Sequence, residues 1–266
     1  MRRLLESGAM RACLVTLMGL RLCLSSIAPA TAAPEDVVVM IHGAGGGGWE
    51  YDRWRPVFVR AGWSVIAPDL QPVKAGLAAT TFADYVRQVR AWVPRERRRL
   101  ALVGASLGGI LALKAAESLH PDAVVLVNSV PPAGVGASRA RKRYPEIVRW
   151  ANGPLQETRD AMPDSDEATI LWAHPRWRDE SGAVLNAVAQ GIAVRKPACP
   201  TLVVLGERDT DIPPATGLAL ARWAGADVQL YAATSHVGPL LGRRAEEIAA
   251  AVRQWVEASL ARREKP

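Results

Sequence analysis

The tightest constraint on how this chain folds is the run Leu100-Ala101-Leu102-Val103, which passes directly into Gly104-Ala105-Ser106-Leu107-Gly108 and on into Gly109-Ile110-Leu111-Ala112-Leu113. Four apolar residues read as a short buried strand, and the apolar, alanine-rich run after the glycines reads as a helix. So sharp a change from strand to helix requires that the positions two before and two after the serine carry no side chain. Both are glycine. Such a turn lifts a serine hydroxyl out of the sheet, while the N-terminus of the next helix presents free N–H groups and a dipole to any anion forming there. Gly-x-Ser-x-Gly by itself recurs by chance in glycine-rich loops. The strand before it and the helix after it make Ser106 a candidate nucleophile for acyl chemistry.

The rest of the chain alternates in the same way. Val37-Val38-Val39-Met40-Ile41 is a continuous apolar run, as in a strand covered on both faces. Further strands are predicted over 64–69, 100–103, Ala123–Val127, Thr201–Gly206 and 228–232. Helical patterns fall between them at 54–61, at 81–93 with Phe82, Tyr85, Val86, Val89 and Trp92 at three-to-four spacing, after the elbow to Leu119, and at 245–261. Strands alternating with helices predict an α/β fold: a mostly parallel sheet flanked by helices on both faces. Between 130 and 197 there is no strand-like run. A Pro-punctuated series of short helical patterns there carries Trp150, Leu155, Met162, Ile170, Leu171, Trp172, Trp177, Val184 and Leu185. It predicts a short helical lid, inserted before the strand that precedes the candidate catalytic acid and lying over the carboxyl ends of the strands. The expected organisation is a leader over 1–32, core over 33–130, lid over 131–197, and core again over 198–266.

The leader is read from Arg2, Arg3 and Arg11 ahead of an apolar run, then Arg21, a second apolar run and Ala30-Thr31-Ala32, the order of a secretory signal with cleavage after Ala32. No run there reaches the ~18 residues of a spanning helix, so export to the periplasm or medium is expected, without stable membrane insertion. The leader holds four Arg and one Glu, so the net charge falls from +7 to +4 without it. The densest basic cluster, Arg139-Ala140-Arg141-Lys142-Arg143, lacks interleaved aromatics and reads as a solvated face rather than a nucleic-acid site. Cys13 and Cys23 lie in the leader. Cys199, beside Pro200, is then a lone thiol with no disulfide partner, expected to be buried and inert.

A serine hydroxyl needs a base, and the base needs an orienting acid. His236 stands after the last predicted strand and Asp209 after the strand before it, which gives the chain order Ser, Asp, His. Asp211, two residues on, is the rival acid, and Glu207 is too close to the strand end. His120, before Pro121, reads as a helix-ending surface residue, and His174 falls in the lid. The oxyanion of a tetrahedral intermediate needs two donors. They are expected to be the N–H of Leu107 and, from the glycine-rich loop 42–48, the N–H of Ala44, with Gly45 as the second choice. That loop has neither a Gly-Lys-Ser/Thr nor a dinucleotide fingerprint, and His42 is expected to brace it through hydrogen bonds. No metal or organic cofactor is implied.

These residues resemble the α/β-hydrolase superfamily: His42-Gly43-Ala44 through Gly48-Trp49, Ala67-Pro68-Asp69, the elbow from Gly104 to Gly109, Gly206-x-x-Asp209-x-x-Ile212-Pro213 and Ser235-His236. His-Gly-Ala followed by Gly-Gly-Trp is similar to the plant methylesterase and hydroxynitrile lyase group, although Ala105 stands where that group commonly has His. The resemblance implies a serine hydrolase of small or medium carboxylic esters working through an acyl-enzyme. Ser at 106 disfavours the superfamily's aspartate-nucleophile members. Another reaction on the same triad (amidase, C–C hydrolase, lyase or perhydrolase) and a non-catalytic small-molecule receptor remain the alternatives. Oligomeric state is left open.

Overall fold

The computed structural model describes residues 35–136 and 143–263. The expected leader, with Cys13 and Cys23, and Arg139, Arg141 and Lys142 of the basic cluster lie outside the described residues. In chain order come β1 (Asp36–Ile41), α1 (Arg55–Val59), β2 (Ser64–Ile66), α2 (Phe82–Trp92), β3 (Arg99–Ala105), α3 (Leu107–Leu119) and β4 (Ala123–Val127). An insert follows, with β5 (Ile147–Val148), α4 (Leu155–Ala161), α5 (Glu167–Ala173), β6 (Glu180–Ser181) and α6 (Gly182–Gln190). Then β7 (Thr201–Gly206), α7 (Pro214–Ala224), β8 (Asp227–Tyr231), α8 (Gly238–Leu241) and α9 (Ala245–Arg263) complete the fold.

The central sheet has the order β2-β1-β3-β4-β7-β8 and every pair is parallel. Its register aligns the strand ends: Ile41 pairs with Gly104, Ala105 with Val127, Val127 with Val204, and Gly206 with Tyr231. The loops that leave β1, β3, β4, β7 and β8 therefore emerge at one edge, where open α/β sheets hold their ligands. Along β1 the alternate residues separate two cores: Val37, Val39 and Ile41 pack with Leu107, Ile110 and Leu111, while Val38 and Met40 pack with Trp54, Phe58, Ile248 and Val252. Burial on both faces explains why these strands read as unbroken apolar runs. Each fully buried aliphatic side chain stabilises the fold by roughly 1.5–3 kcal/mol.

Local chemistry fixes the helix starts. The Thr81 hydroxyl accepts from the Asp84 N–H while the Asp84 carboxylate accepts from the Thr81 N–H, closing a reciprocal cap on α2. The apolar stripe Phe82, Tyr85, Val86 and Val89 is buried as the spacing predicts. The insert corrects the sequence reading in one respect. Besides helices it holds an antiparallel ribbon, with Ile147 paired to Ser181 and Val148 to Glu180. Two residues per strand are too few to show a period-two pattern, and the pairing joins positions far apart in sequence. Cys199 is half-buried rather than fully buried, and burial pushes its thiol up to about 11, so it stays protonated at neutral pH. No helix among the described residues is long and apolar enough to cross a membrane.

Candidate active site

Ser106 sits between β3 and α3 with φ 50° and ψ −115°, a conformation that costs a non-glycine residue about 1–3 kcal/mol. The surroundings enforce it. The Ser106 N–H donates to the Val127 carbonyl at 3.0 Å, and the Ser106 carbonyl accepts from Gly109 and Val130, each at 3.1 Å. The flanking glycines are steric necessities: a Cβ on Gly104 would fall 2.2 Å from the Gly108 carbonyl oxygen, and one on Gly108 would fall 2.0 Å from the Ile41 carbonyl oxygen. The elbow thus wedges between β1 and its own helix, and Leu107 opens α3 with the free N–H of a first-turn residue.

His236 lies in the loop between β8 and α8, and its Nδ1 meets Asp209 Oδ2 at 2.8 Å. Asp209, 4% exposed, accepts on its other oxygen from the N–H groups of Asp211 (2.9 Å) and Ile212 (2.8 Å), so its carboxylate is fixed in orientation. Neither Asp211 nor Glu207 meets Nδ1. Asp211 Oδ2 is 4.0 Å from His236 Nε2, on the opposite side of the ring, and the Glu207 carboxylate accepts from the Ala233 N–H. Burial by itself would lower the His236 pKa. The bond to Asp209 and the nearby charges of Asp209, Asp211 and Glu50 outweigh it and hold the imidazole above its ordinary value.

Ser106, Ala44 and His236 open on one pocket of about 410 Å³. The insert supplies much of its wall, including Trp150, Glu157, Thr158, His174 and Trp177. His174 Nδ1 is 3.0 Å from Thr158 Oγ1. Trp49 packs edge-on against Trp172 and Trp177 with ring centroids 5.4 and 4.9 Å apart, joining the glycine loop to the insert. Of the remaining residues singled out, His120 caps α3 in a left-handed conformation and is exposed, as expected.

In the glycine loop, the Gly43 N–H donates to Glu50 Oε2 at 3.1 Å and the Gly45 N–H donates to Glu180 Oε2 at 3.1 Å. Among the described residues the N–H of Ala44 between them has no acceptor. No cluster of three or more His, Cys, Asp or Glu among the described residues is placed to hold a metal ion.

Residues 38–251 match the Alpha/beta hydrolase family. The chain belongs to that family. No curated protein matches it in sequence. Among solved structures, this hydrolase-family chain is similar to a pyrethroid hydrolase from Sphingobium faniae JZ-2, with 20% identity, 84% of this chain and 98% of that one covered, and a TM-score of 0.66. It is similar to polyneuridine aldehyde esterase at 17% identity, 86% and 100% coverage and a TM-score of 0.62. It is also similar to a monoacylglycerol lipase from Paleococcus ferrophilus at 18% identity, 85% and 96% coverage and a TM-score of 0.67. At these identities the likeness is one of fold.

Several residues that build the hydrolase-fold site escaped the sequence reading. Asn128, buried and at φ 42°, donates to the carbonyls of Ser235 (3.1 Å) and His236 (2.7 Å) and accepts from the Gly206 N–H (2.8 Å), which ties the acid loop to the histidine loop. Asp164, from the insert, accepts from the Ser235 N–H and hydroxyl at 3.0 and 2.5 Å. Glu50 is 4% exposed, and burial pushes its carboxyl up to about 7. Asn-Ser after an apolar strand is a visible turn signal at 128–129. Asp164 and Glu180 give no local signal, because Ser235 and Gly45, which they bond, are 71 and 135 residues away.

Proposed function

We propose that the protein is a serine hydrolase of small or medium carboxylic esters, acting through an acyl-enzyme. The observation that carries this reading is the opening of three things on one pocket: a serine at a strained elbow, a histidine held by a buried aspartate, and the amide of Ala44, which has no acceptor among the described residues. Ser106 Oγ attacks the ester carbonyl as His236 takes its proton, and the carbonyl oxygen becomes an oxyanion held by the amides of Leu107 and Ala44. Collapse expels the alcohol, which takes the proton from His236. Water then attacks the acyl-enzyme by the same route and releases the acid. Asp209 keeps the imidazole in the Nδ1–H tautomer and offsets the charge it gains. Gly45 is a poorer oxyanion donor than Ala44 because its N–H is already engaged by Glu180.

Trp150 and Trp177 suit an apolar acyl or leaving group, and the pocket is matched to a small molecule. We further propose that residues 1–32 direct export; sequencing the N-terminus of protein recovered from the medium or periplasm checks it. The functional reading is tested with 4-nitrophenyl esters of increasing chain length and a fluorophosphonate label. Wild type is expected to turn over and to be labelled, and Ser106→Ala, still folded, to do neither. Equal turnover by Ser106→Ala would refute the assignment, and substrates confined to amides or C–C bonds would move the chemistry to another reaction on the same triad.

A further inference from the structure

An oxyanion amide works only if its peptide plane is held, and within the glycine loop that plane is held by one turn bond, from the Gly46 N–H to the Gly43 carbonyl at 3.3 Å. Gly45 is in the left-handed region at φ 70°, and the residues around it lack side chains that could pack. Further constraint comes from the insert, at residues 178–180, just before and into β6. The Arg178 N–H donates to the Gly45 carbonyl at 2.7 Å, and Glu180 Oε2 accepts from the Gly45 N–H at 3.1 Å, so both polar groups of Gly45 are gripped from one side. Glu180 is itself 3% exposed and anchored by the Tyr85 hydroxyl (2.8 Å) and the Ser181 N–H (2.7 Å).

The Arg178 side chain reaches further. Its Nε donates to the Gly46 carbonyl at 2.7 Å, Nη1 to the Leu70 carbonyl at 3.2 Å, and Nη2 lies 3.2 Å from His42 Nε2. The Leu70 N–H also donates to that Nε2, at 2.8 Å, so Nε2 is the acceptor and the proton of His42 sits on Nδ1. Nδ1–H then donates to the Gly43 carbonyl at 2.7 Å. That carbonyl belongs to the same peptide group as the Ala44 N–H and points the opposite way, as in any trans peptide. Burial, with the Arg178 charge beside it, pushes His42 down to about 4, so the ring stays neutral and keeps this tautomer at working pH.

We propose that Arg178 and Glu180 are positioning residues for the oxyanion site: acting through Gly45 and His42, they set the plane of the Gly43–Ala44 peptide and so aim its N–H at the tetrahedral oxygen. The insert thereby completes the catalytic geometry as well as walling the pocket. This rests on the serine-hydrolase reading above.

The test compares wild type with Arg178→Met, Arg178→Lys, Glu180→Gln and Glu180→Ala. Each is assayed for hydrolysis of 4-nitrophenyl butyrate and for inhibition by a trifluoromethyl ketone, which adds the serine to mimic the tetrahedral state, and by the matching methyl ketone. Losing one oxyanion donor outright costs about 100- to 1,000-fold in kcat, so misaiming it is expected to cost roughly 10- to 100-fold. For Arg178→Met, kcat falls by that factor with KM within about threefold, trifluoromethyl ketone affinity falls in parallel, and methyl ketone affinity is unchanged. Arg178→Lys does not rescue, because a single ammonium paired with Asp69, which the guanidinium also meets at 3.5 Å, cannot at the same time span the Gly46 and Leu70 carbonyls and His42 Nε2. Glu180→Gln keeps an acceptor for Gly45 and loses less than Glu180→Ala.

If kcat and trifluoromethyl ketone affinity stay at wild-type values while only thermal stability drops, or if KM alone rises, the proposal is overturned. Should Arg178→Met fail to fold, Arg178→Lys carries the same comparison. Wild type that neither hydrolyses the ester nor takes a fluorophosphonate overturns the functional reading itself. An active wild type with unaltered variants overturns only the clamp.

Discussion

Replacing Glu50 with Gln should stabilise the protein in alkaline but not in acidic solution. Glu50 lies within the glycine loop's fold, 4% exposed, with one oxygen accepting from the Gly43 N–H. Burial raises its carboxyl from 4.5 to about 7, against the opposing pull of the Gly43 hydrogen bond and the His236 and Arg178 charges. The folded pKa is above the unfolded one, so as pH rises past 4.5 the unfolded chain ionises Glu50 first and gains stability relative to the native state. The loss of folding stability accumulates between pH 4.5 and 7 and is complete above 7. At about 1.4 kcal/mol per pKa unit, a displacement of this size amounts to roughly 3 kcal/mol. Gln carries no charge and keeps an oxygen for Gly43, and any misfit of its amide is the same at every pH.

The stability of Glu50→Gln minus that of wild type should therefore grow by about 3 kcal/mol from pH 4 to pH 8, on the order of 6–12 °C in Tm for a chain of this size. Urea titrations of both proteins at pH 4, 5, 6, 7 and 8 read it directly, with m unchanged. A difference that stays flat across that range would refute the burial argument. The same substitution removes one of the negative charges that raise His236, so the acid limb of ester hydrolysis should move to lower pH.

Because His236 is held above 6.5 and must be neutral to act as base, kcat/KM should rise with pH through an apparent pKa above 6.5; Asp211→Asn should lower that pKa, and a profile flat from pH 5 to 8 would contradict the assignment. Asp209→Asn should cost on the order of 10⁴ in kcat with the fold intact by circular dichroism, since it would stabilise the wrong imidazole tautomer. Asn128→Ala removes three hydrogen bonds, two of them buried, that tie the acid and histidine loops and should destabilise by about 1–3 kcal/mol in urea while lowering kcat. Gly45→Ala would place a methyl 2.4 Å from the Trp150 ring at φ 70°, and should lower both Tm and ester turnover; wild-type values for either would count against the tight packing of insert on loop.

The sequence by itself determined the layered α/β architecture. Strands buried on both faces must be continuously apolar, so β1, β3, β4 and β7 announced themselves, and the elbow was legible because tight backbone packing leaves no choice but glycine at 104 and 108. The loop positions of Ser106, Asp209 and His236 followed from strand ends, since a parallel sheet delivers alternate loops to one edge. Only the tertiary structure distinguished Asp209 from Asp211: Asp209 is buried against His236 Nδ1, while the Asp211 side chain is exposed and nearer Nε2, a difference that two aspartates two residues apart do not show in sequence. It alone showed the Gly45 N–H engaged by Glu180, and it alone brought Arg178, Glu180, Asp164 and Asn128 to the site. Their partners at the site lie 71 to 136 residues away in sequence, and a hydrogen bond across such a separation leaves no periodicity, composition or spacing for a one-dimensional reading to detect.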